Sequence, residues 1–236
     1  MNTVALRTIQ ELESYASRVD HVLVSYSGGK DSRAIMDLCC KTFKRVSGYL
    51  LYLAPGLRID QEQIDYAKSR WGVEVITRPG QGMAQGLKVG FYSDPSHEYD
   101  GIPVLSCNQV GVALMDELGI RLCVNGAKFS DYTNRRQQIA GQTRDDIIYP
   151  LREWNKWAVI DYLTANHIPV PESHNGVSSG VSLKTSSLLW LAKHYPDDFK
   201  RLERVFPYIG VTLKRQEWFG VGPKKQRAGG TRLTGA

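Results

Sequence analysis

The sequence predicts an α/β fold: an open, mostly parallel, five-stranded twisted sheet with helices on both faces, followed by a mainly helical C-terminal part. Three observations predict it. Short apolar runs at His21–Tyr26, Gly48–Leu53, Val73–Thr77 and Arg121–Asn125 alternate with segments of helical period, as strands joined by crossover helices do. The glycine-rich stretch SYSGGKDS, residues 25–32, falls between the first run and a helical segment, where open parallel sheets bind their ligands. From residue 185 to 207 the pattern is helical, with a break at Pro196.

Taken in order, residues 3–18 repeat at helical period with Leu6, Ile9, Leu12 and Tyr15 on one side. Asp31–Phe43 reads as a helix with Ile35, Leu38 and Cys39 on one face. A helix over about 61–71 has Asp60 as N-cap, Gln63 as its capping-box partner and Ile59 and Ile64 as a hydrophobic staple, and Gly72 ends it. Residues 79–103 and 126–148 read as loops, the second around a site; a loop as long as the first is often functional. Asn108–Leu118 and the stretch REWNKWAVIDYLTANHIP read as helices. Trp154, Trp157 and Leu163 share a helical spacing that suggests core. The expected organisation is an α/β domain at 1–168, a helical extension at 169–220 and a mobile basic tail at 221–236.

Composition narrows the class. The chain has 236 residues, 42% hydrophobic and 23% charged, and a net charge of +6, so a full core and anionic partners are both expected. The first residues lack the apolar centre of a signal peptide and no run of 18 apolar residues occurs, which suggests a cytoplasmic protein without a membrane partner. The four cysteines, Cys39, Cys40, Cys107 and Cys123, show no C-x-x-C spacing, and the five histidines (His21, His97, His167, His174, His194) no metal spacing. Neither zinc nor an iron–sulfur cluster is expected, and all four cysteines read as small buried hydrophobes.

The opening motif has the chemistry of an anion site. Gly28 and Gly29 let backbone amides approach a phosphate, and the helix that follows points its N-terminus there. Ser25, Ser27 and Ser32 add hydroxyls and Lys30 a full charge, with Tyr26 between the serines. Asp31 reads either as a Mg²⁺ ligand or as a helix cap. The spacing is not that of the P-loop, G-x-x-x-x-G-K-[ST].

Ser27-Gly28-Gly29-Lys30-Asp31-Ser32 resembles the S-G-G-x-D-S pyrophosphate loop of the adenine nucleotide α-hydrolase superfamily. Later segments resemble its phosphoadenosine phosphosulfate (PAPS) reductase branch: Leu53-Ala54-Pro55-Gly56-Leu57 without that family's acid, Asn125-Gly126-Ala127-Lys128 with Asp131 and Arg135, Tyr149-Pro150-Leu151 with Trp154, and Ser178-Ser179-Gly180. The resemblance spans roughly residues 20–205. It implies an enzyme that binds ATP, or PAPS or adenylyl sulfate, with Mg²⁺. Leu53, Gly56 and Gly126 would border the nucleotide. Lys128, Asp131, Arg135, Arg136 and Lys184 would hold the α-phosphate or an anionic second substrate. The family's G-C-x-x-C is replaced by Gly180-Val181-Ser182-Leu183-Lys184 and no cysteine lies beyond Cys123, so the attacking thiolate of a reductase is missing. The resulting expectation is an ATP pyrophosphatase with Lys30 and Asp31 catalytic, which adenylylates an acceptor: a nucleic acid or a sulfur carrier. A reductase using an external thiol and a non-catalytic nucleotide-binding module are the alternatives. Family resemblance also implies a homodimer.

Overall fold

A computed structural model describes residues 3–94, 101–131, 133–171 and 181–220. Its sheet has five strands: β1 (His21–Ser25), β2 (Arg45–Tyr52), β3 (Val75–Pro79), β4 (Cys123–Val124) and β5 (Ile147–Ile148). All are parallel, in the order β3-β2-β1-β4-β5, which is the α/β class the sequence predicts. β5 is the strand that no periodicity announced. It lies in a stretch read as a polar loop, whereas β4, equally short, sits within an apolar run.

The chain steps outward from β1 to β3, then returns to the other side of β1 for β4. Order therefore reverses between β1 and β4, and the crevice beyond their carboxyl ends is where such sheets bind ligands. Strands β1 and β4 are buried apolar runs, as expected of a sheet covered on both faces.

The described residues form ten helices: α1 (Thr3–Ala16), α2 (Lys30–Thr42), α3 (Arg58–Trp71), α4 (Gln81–Lys88), α5 (Cys107–Leu118), α6 (Thr133–Ala140), α7 (Lys156–Ala165), α8 (Thr185–His194), α9 (Pro196–Val205) and α10 (Gly210–Phe219). On one face α1, α2 and α7 enclose Val22, Val24, Ile35, Leu38, Leu151 and Trp154. On the other, α5 covers Leu23, Tyr49 and Cys123. A third cluster joins Leu53 and Leu57, just past β2, to Leu188, Leu202, Phe206 and Ile209 of the C-terminal helices.

Several expectations shift. The predicted loop at 79–103 contains α4, and that at 126–148 contains α6 and β5. Leu6 is 43% exposed, because the buried face of α1 runs through Ala5, Thr8 and Leu12. Trp157 is 64% exposed. The real N-cap of α7 is Asn155, whose side chain accepts from Ala158 N, so Trp154 precedes the helix and its spacing to Trp157 carries no facial meaning. Trp154 is buried and donates from Nε1 to Thr8 Oγ at 2.8 Å.

Asp60 is not the cap of α3. That helix starts one turn's fraction earlier, at Arg58, after Leu57. Its first amides are capped from a distance: Arg58 N and Ile59 N donate to the carboxylate of Asp198 at 2.7 and 2.9 Å. A cap supplied from 140 residues away leaves no local signature. Gly72, φ +68°, does close α3 as expected.

Candidate functional site

The site forms where β1 and β4 end. After Ser25 the chain turns through Tyr26–Gly29 into α2. Tyr26 is fixed from both ends: its N–H donates to Tyr49 O at 2.8 Å and its hydroxyl to Gln63 O at 3.3 Å. Burial pushes its phenol up to about 12, against the pull of Arg33. Gly28 sits at φ +70°, and a Cβ there would come within 2.2 Å of Gln63 Cγ. The loop can follow this path only with glycine.

Gly29 is the N-cap of α2, and no side chain caps that end. The first-turn amides are thus left to an anion, favoured also by the helix dipole. Ser32 donates to Gly29 O at 2.9 Å and Ser27 to Ser32 Oγ at 3.4 Å, which holds the loop over the helix.

Gly28→Ala and Gly72→Ala make an informative pair. Both positions are left-handed, but nothing lies within 4 Å of a Cβ at Gly72. Gly72→Ala is expected to cost about 1–2 kcal/mol, or roughly 2–8 °C in Tm. Gly28→Ala should cost more, because Gln63 must also give way. Equal melting shifts would show that Gln63 does not shape the loop.

Beyond β4, Asn125 Oδ1 accepts from Ala127 N at 3.0 Å and turns the chain back over α2. Gly126 permits the approach: a Cβ there would stand 3.1 Å from Asp31 O and 3.2 Å from Ile35 Cγ2. This delivers Lys128, only 1% exposed, to the start of α2. Its ammonium lies 2.6 Å from Asp31 Oδ1 and 2.7 Å from Asp131 Oδ1. These are close charge contacts without the alignment of hydrogen bonds. Lys30 Nζ donates to Asp31 Oδ2 at 2.5 Å. The fold thus brings together Lys30 and Asp31 of the first turn of α2 with Lys128 and Asp131 of the turn after β4, into an alternating chain of charges beside the uncapped helix end. Asp31 makes no cap; it bridges two ammonium groups.

The other expected residues are placed differently. Arg135 hydrogen-bonds Gln138 at 2.8 Å. Arg136 and Lys184 are exposed, Lys184 as N-cap of α8. Leu53 is buried among the C-terminal helices, so only backbone at the end of β2 faces the crevice. Gly56 turns the chain there at φ +72°. Ser178-Ser179-Gly180, the basic tail, His97 and His174 lie outside the described residues.

One residue of the floor escaped sequence reading. Arg33 is buried beneath the loop. Its guanidinium donates to Pro169 O at 2.6 Å and Gln63 Oε1 at 2.7 Å, and stacks 4.1 Å over Tyr66. It ties α2, α3 and the segment after α7 together under Gly28. On the far side of Gln63 a cavity of about 330 Å³ is lined by Arg58, Trp190 and Tyr195. A larger one, about 540 Å³, opens between α1, α2 and α7 around Leu38, Lys41 and Tyr162. It meets the C-terminal half of α2, away from the loop, and takes no part in the site.

The cysteines divide. Burial holds the thiol of Cys39 well above its usual range and pushes Cys40 and Cys123 up to about 12, so these three stay protonated. Cys107 departs from the expectation of a buried hydrophobe. It is half-buried at the first position of α5, with Sγ 3.2 Å from Ser25 Oγ and 3.3 Å from Tyr49 OH. Among the described residues no group of three His, Cys, Asp or Glu side chains is placed to hold a metal. No helix among them is long and apolar enough to cross a membrane.

The sequence model of the phosphoadenosine phosphosulfate reductase domain matches residues 21–176, from β1 through the whole crevice. The chain belongs to this family. No curated protein matches the sequence. Among solved structures, the NH3-dependent NAD synthetase of Campylobacter jejuni, in complex with nitrate, aligns with a TM-score of 0.51 at 12% identity over 96% of this chain and 100% of that one. At that identity the likeness is one of fold alone. A U34-tRNA thiolase from Methanococcus maripaludis with its [4Fe-4S] cluster aligns at 0.48 and 14% over 89% and 79% of the two chains. PAPS reductase from Candida auris, a phosphate complex, aligns at 0.46 and 18% over 71% and 83%.

Proposed function

We propose that this chain is an ATP-dependent enzyme acting at the α-phosphate, transferring AMP to an acceptor with release of pyrophosphate. The observation that carries the reading is the uncapped N-terminus of α2 behind a glycine loop, flanked by Lys30 and the buried Lys128. Loop amides and α2 would take the β- and γ-phosphates. The end of β2 near Leu53 and Gly56 would border the adenine. An acceptor nucleophile attacks the α-phosphorus, the bond to the bridging oxygen breaks, and that oxygen leaves on pyrophosphate with the electron pair. Lys30 stabilises the charge that develops there. Lys128 is held too deep to follow the leaving group and fixes Asp31 instead. Lys30 turned toward phosphate leaves Asp31 Oδ2 as a single carboxylate, which suits the Mg²⁺ that accompanies ATP and is held mainly by its phosphates. Arg135, Arg136 and Lys184 are the remaining candidates for an anionic second substrate.

Turnover of α-labelled ATP tests this. With water in place of the acceptor, wild type should form AMP and pyrophosphate, and Lys30→Ala should lower kcat about 100-fold. ATP that binds to neither protein overturns the reading.

One observation favours a second reading. A thiol, Cys107, does lie beside the loop, at hydrogen-bond distance from Ser25. In a PAPS or adenylyl sulfate reductase its thiolate would attack the sulfur, displacing the nucleotide and leaving an S-sulfonate, and an external thiol would then release sulfite as a mixed disulfide forms. Sulfite formed from PAPS, with no AMP from ATP, would decide for it.

A further inference from the structure

The cavity of about 330 Å³ beyond Gln63 has no role in the transfer proposed above, yet it adjoins the phosphate loop. One of its walls is Gln63 itself, the residue that Gly28 packs on: a Cβ at Gly28 would come within 2.2 Å of Gln63 Cγ. Another wall is aromatic. Trp190 and His194 of α8 stack with ring centres 5.1 Å apart and planes 25° apart, and Tyr195, next in the chain, tilts against the same indole at 5.5 Å. Arg58, the first residue of α3, completes the lining.

These side chains are held in place with binding groups to spare. Glu62 accepts from Arg58 Nε at 2.8 Å through one oxygen and from Tyr195 OH at 2.8 Å through the other. That anchors Arg58 by its Nε alone. Its terminal nitrogens have no acceptor among the described residues, and its side chain is 78% exposed. Gln63 Oε1 accepts from Arg33 at 2.7 Å, which fixes the amide; its Nε2 has no acceptor among the described residues. No carboxylate lines the cavity.

The ligand follows from these groups. The aromatic wall suits a flat ring, which stacks on it by its π-face. The open fork of Arg58 suits a phosphate. The Gln63 amide suits an acceptor on the edge of the ring, which a nucleobase has and a hydrocarbon ring lacks. The volume is at the lower end of small-molecule pockets, ~300–1,000 Å³, so there is room for one nucleotide and not for a run of them.

We infer that this cavity binds a second nucleotide, a nucleoside monophosphate, with its base on the Trp190 and Tyr195 rings and its phosphate at Arg58. A single side chain, Gln63, separates it from the loop. That position suits the acceptor of AMP, a role that rests on the proposed transfer; the binding does not rest on it.

Calorimetric titration of the full chain with guanosine and uridine 5′-monophosphates tests the inference. Binding is expected with Kd on the order of 10⁻⁵–10⁻⁴ M. Trp190→Leu should weaken it about tenfold or more. Trp190 is half-buried, so Arg58→Ala, at an exposed position, is the second variant; it should abolish the preference for the monophosphate over the plain nucleoside. Lys30→Ala should leave the affinity unchanged, because the loop takes the other nucleotide. Circular dichroism verifies that the variants fold. No binding at millimolar concentration, or binding unchanged in both Trp190→Leu and Arg58→Ala, overturns the inference. So does binding that is lost in Lys30→Ala and kept in Trp190→Leu, which would place the ligand on the loop. Phenyl phosphate binding as tightly as the monophosphates would show that no base is read, and a pentanucleotide binding where the monophosphates do not would show that the ligand is a strand; either result overturns it. The titration contains no ATP, so a failure to form AMP would overturn the transfer and leave this result standing.

Discussion

Lys128→Met is expected to destabilise the chain by about 3–5 kcal/mol, the cost of breaking a buried ion pair from one side. The ammonium is 1% exposed and touches two carboxylates, Asp31 and Asp131. Methionine fills similar space, so little is lost in packing. What remains is two carboxylates, 24% and 27% exposed, with Lys30 beside Asp31. Urea denaturation reads the loss directly. Adding Asp131→Asn should restore part of it by removing the surplus charge, and the two changes should couple, since the residues are in contact. A loss below about 1 kcal/mol would mean that the cluster is a solvated surface network. The same variant should weaken ATP binding, because Lys128 fixes Asp31 and, through Gly126, sets the 126–131 turn against the start of α2.

This cluster shows where sequence reading reaches and where it stops. The loop at 25–32 was legible because its chemistry is local: glycines, hydroxyls and a lysine between a buried run and a helix. Lys128 and Asp131 were legible only through their order relative to other motifs. That Lys128 is buried against Asp31 depends on Gly126 permitting close approach, a contact between segments about 100 residues apart. Arg33 gave no signal, and Gln63 signalled only a capping box; their roles come from the crossing of α2 and α3 beneath Gly28.

The same division holds for the fold. Strands β1 to β3 are long enough to show apolar runs, and the parallel order follows from alternation with helices. β5 lies in a stretch read as a polar loop. α10 escaped because apolar and polar residues alternate around it without a buried stripe, with only Thr212 fully inside. The cap of α3 was misassigned for a related reason. Asp60 and Gln63 have the capping-box spacing, but Asp198 of α9 takes the helix end and leaves Asp60 inside the first turn.

That substitution has a measurable consequence. Asp60 Oδ2 is sealed from water and unpartnered, while the rest of the residue is half-buried. Burial, with the nearby Asp198 carboxylate adding to it, pushes Asp60 up to about 7 from an ordinary 3.8. A raised acid holds its proton in the folded state while the unfolded chain has released it. Its contribution is therefore favourable below about pH 4 and is lost as pH rises to about 7. Roughly three pKa units correspond to at most about 4 kcal/mol. Asp60→Asn keeps the shape and removes the titration. The variant should match wild type near pH 4, where both states hold the proton, and be more stable by about 2–4 kcal/mol at pH 8. His21, lowered by burial and by Arg45, tends to raise stability with pH over the same range. Asp37 has acted below it: burial pushes that carboxyl up, but hydrogen bonds from Lys41, Tyr162 and Trp71 win and hold it low. Both contributions are common to the two proteins and cancel in the difference. Urea midpoints of the pair at pH 5 and pH 8 measure it, and a difference that does not change with pH would show that Asp60 is ionised in the folded chain and that Asp198 does not oppose it.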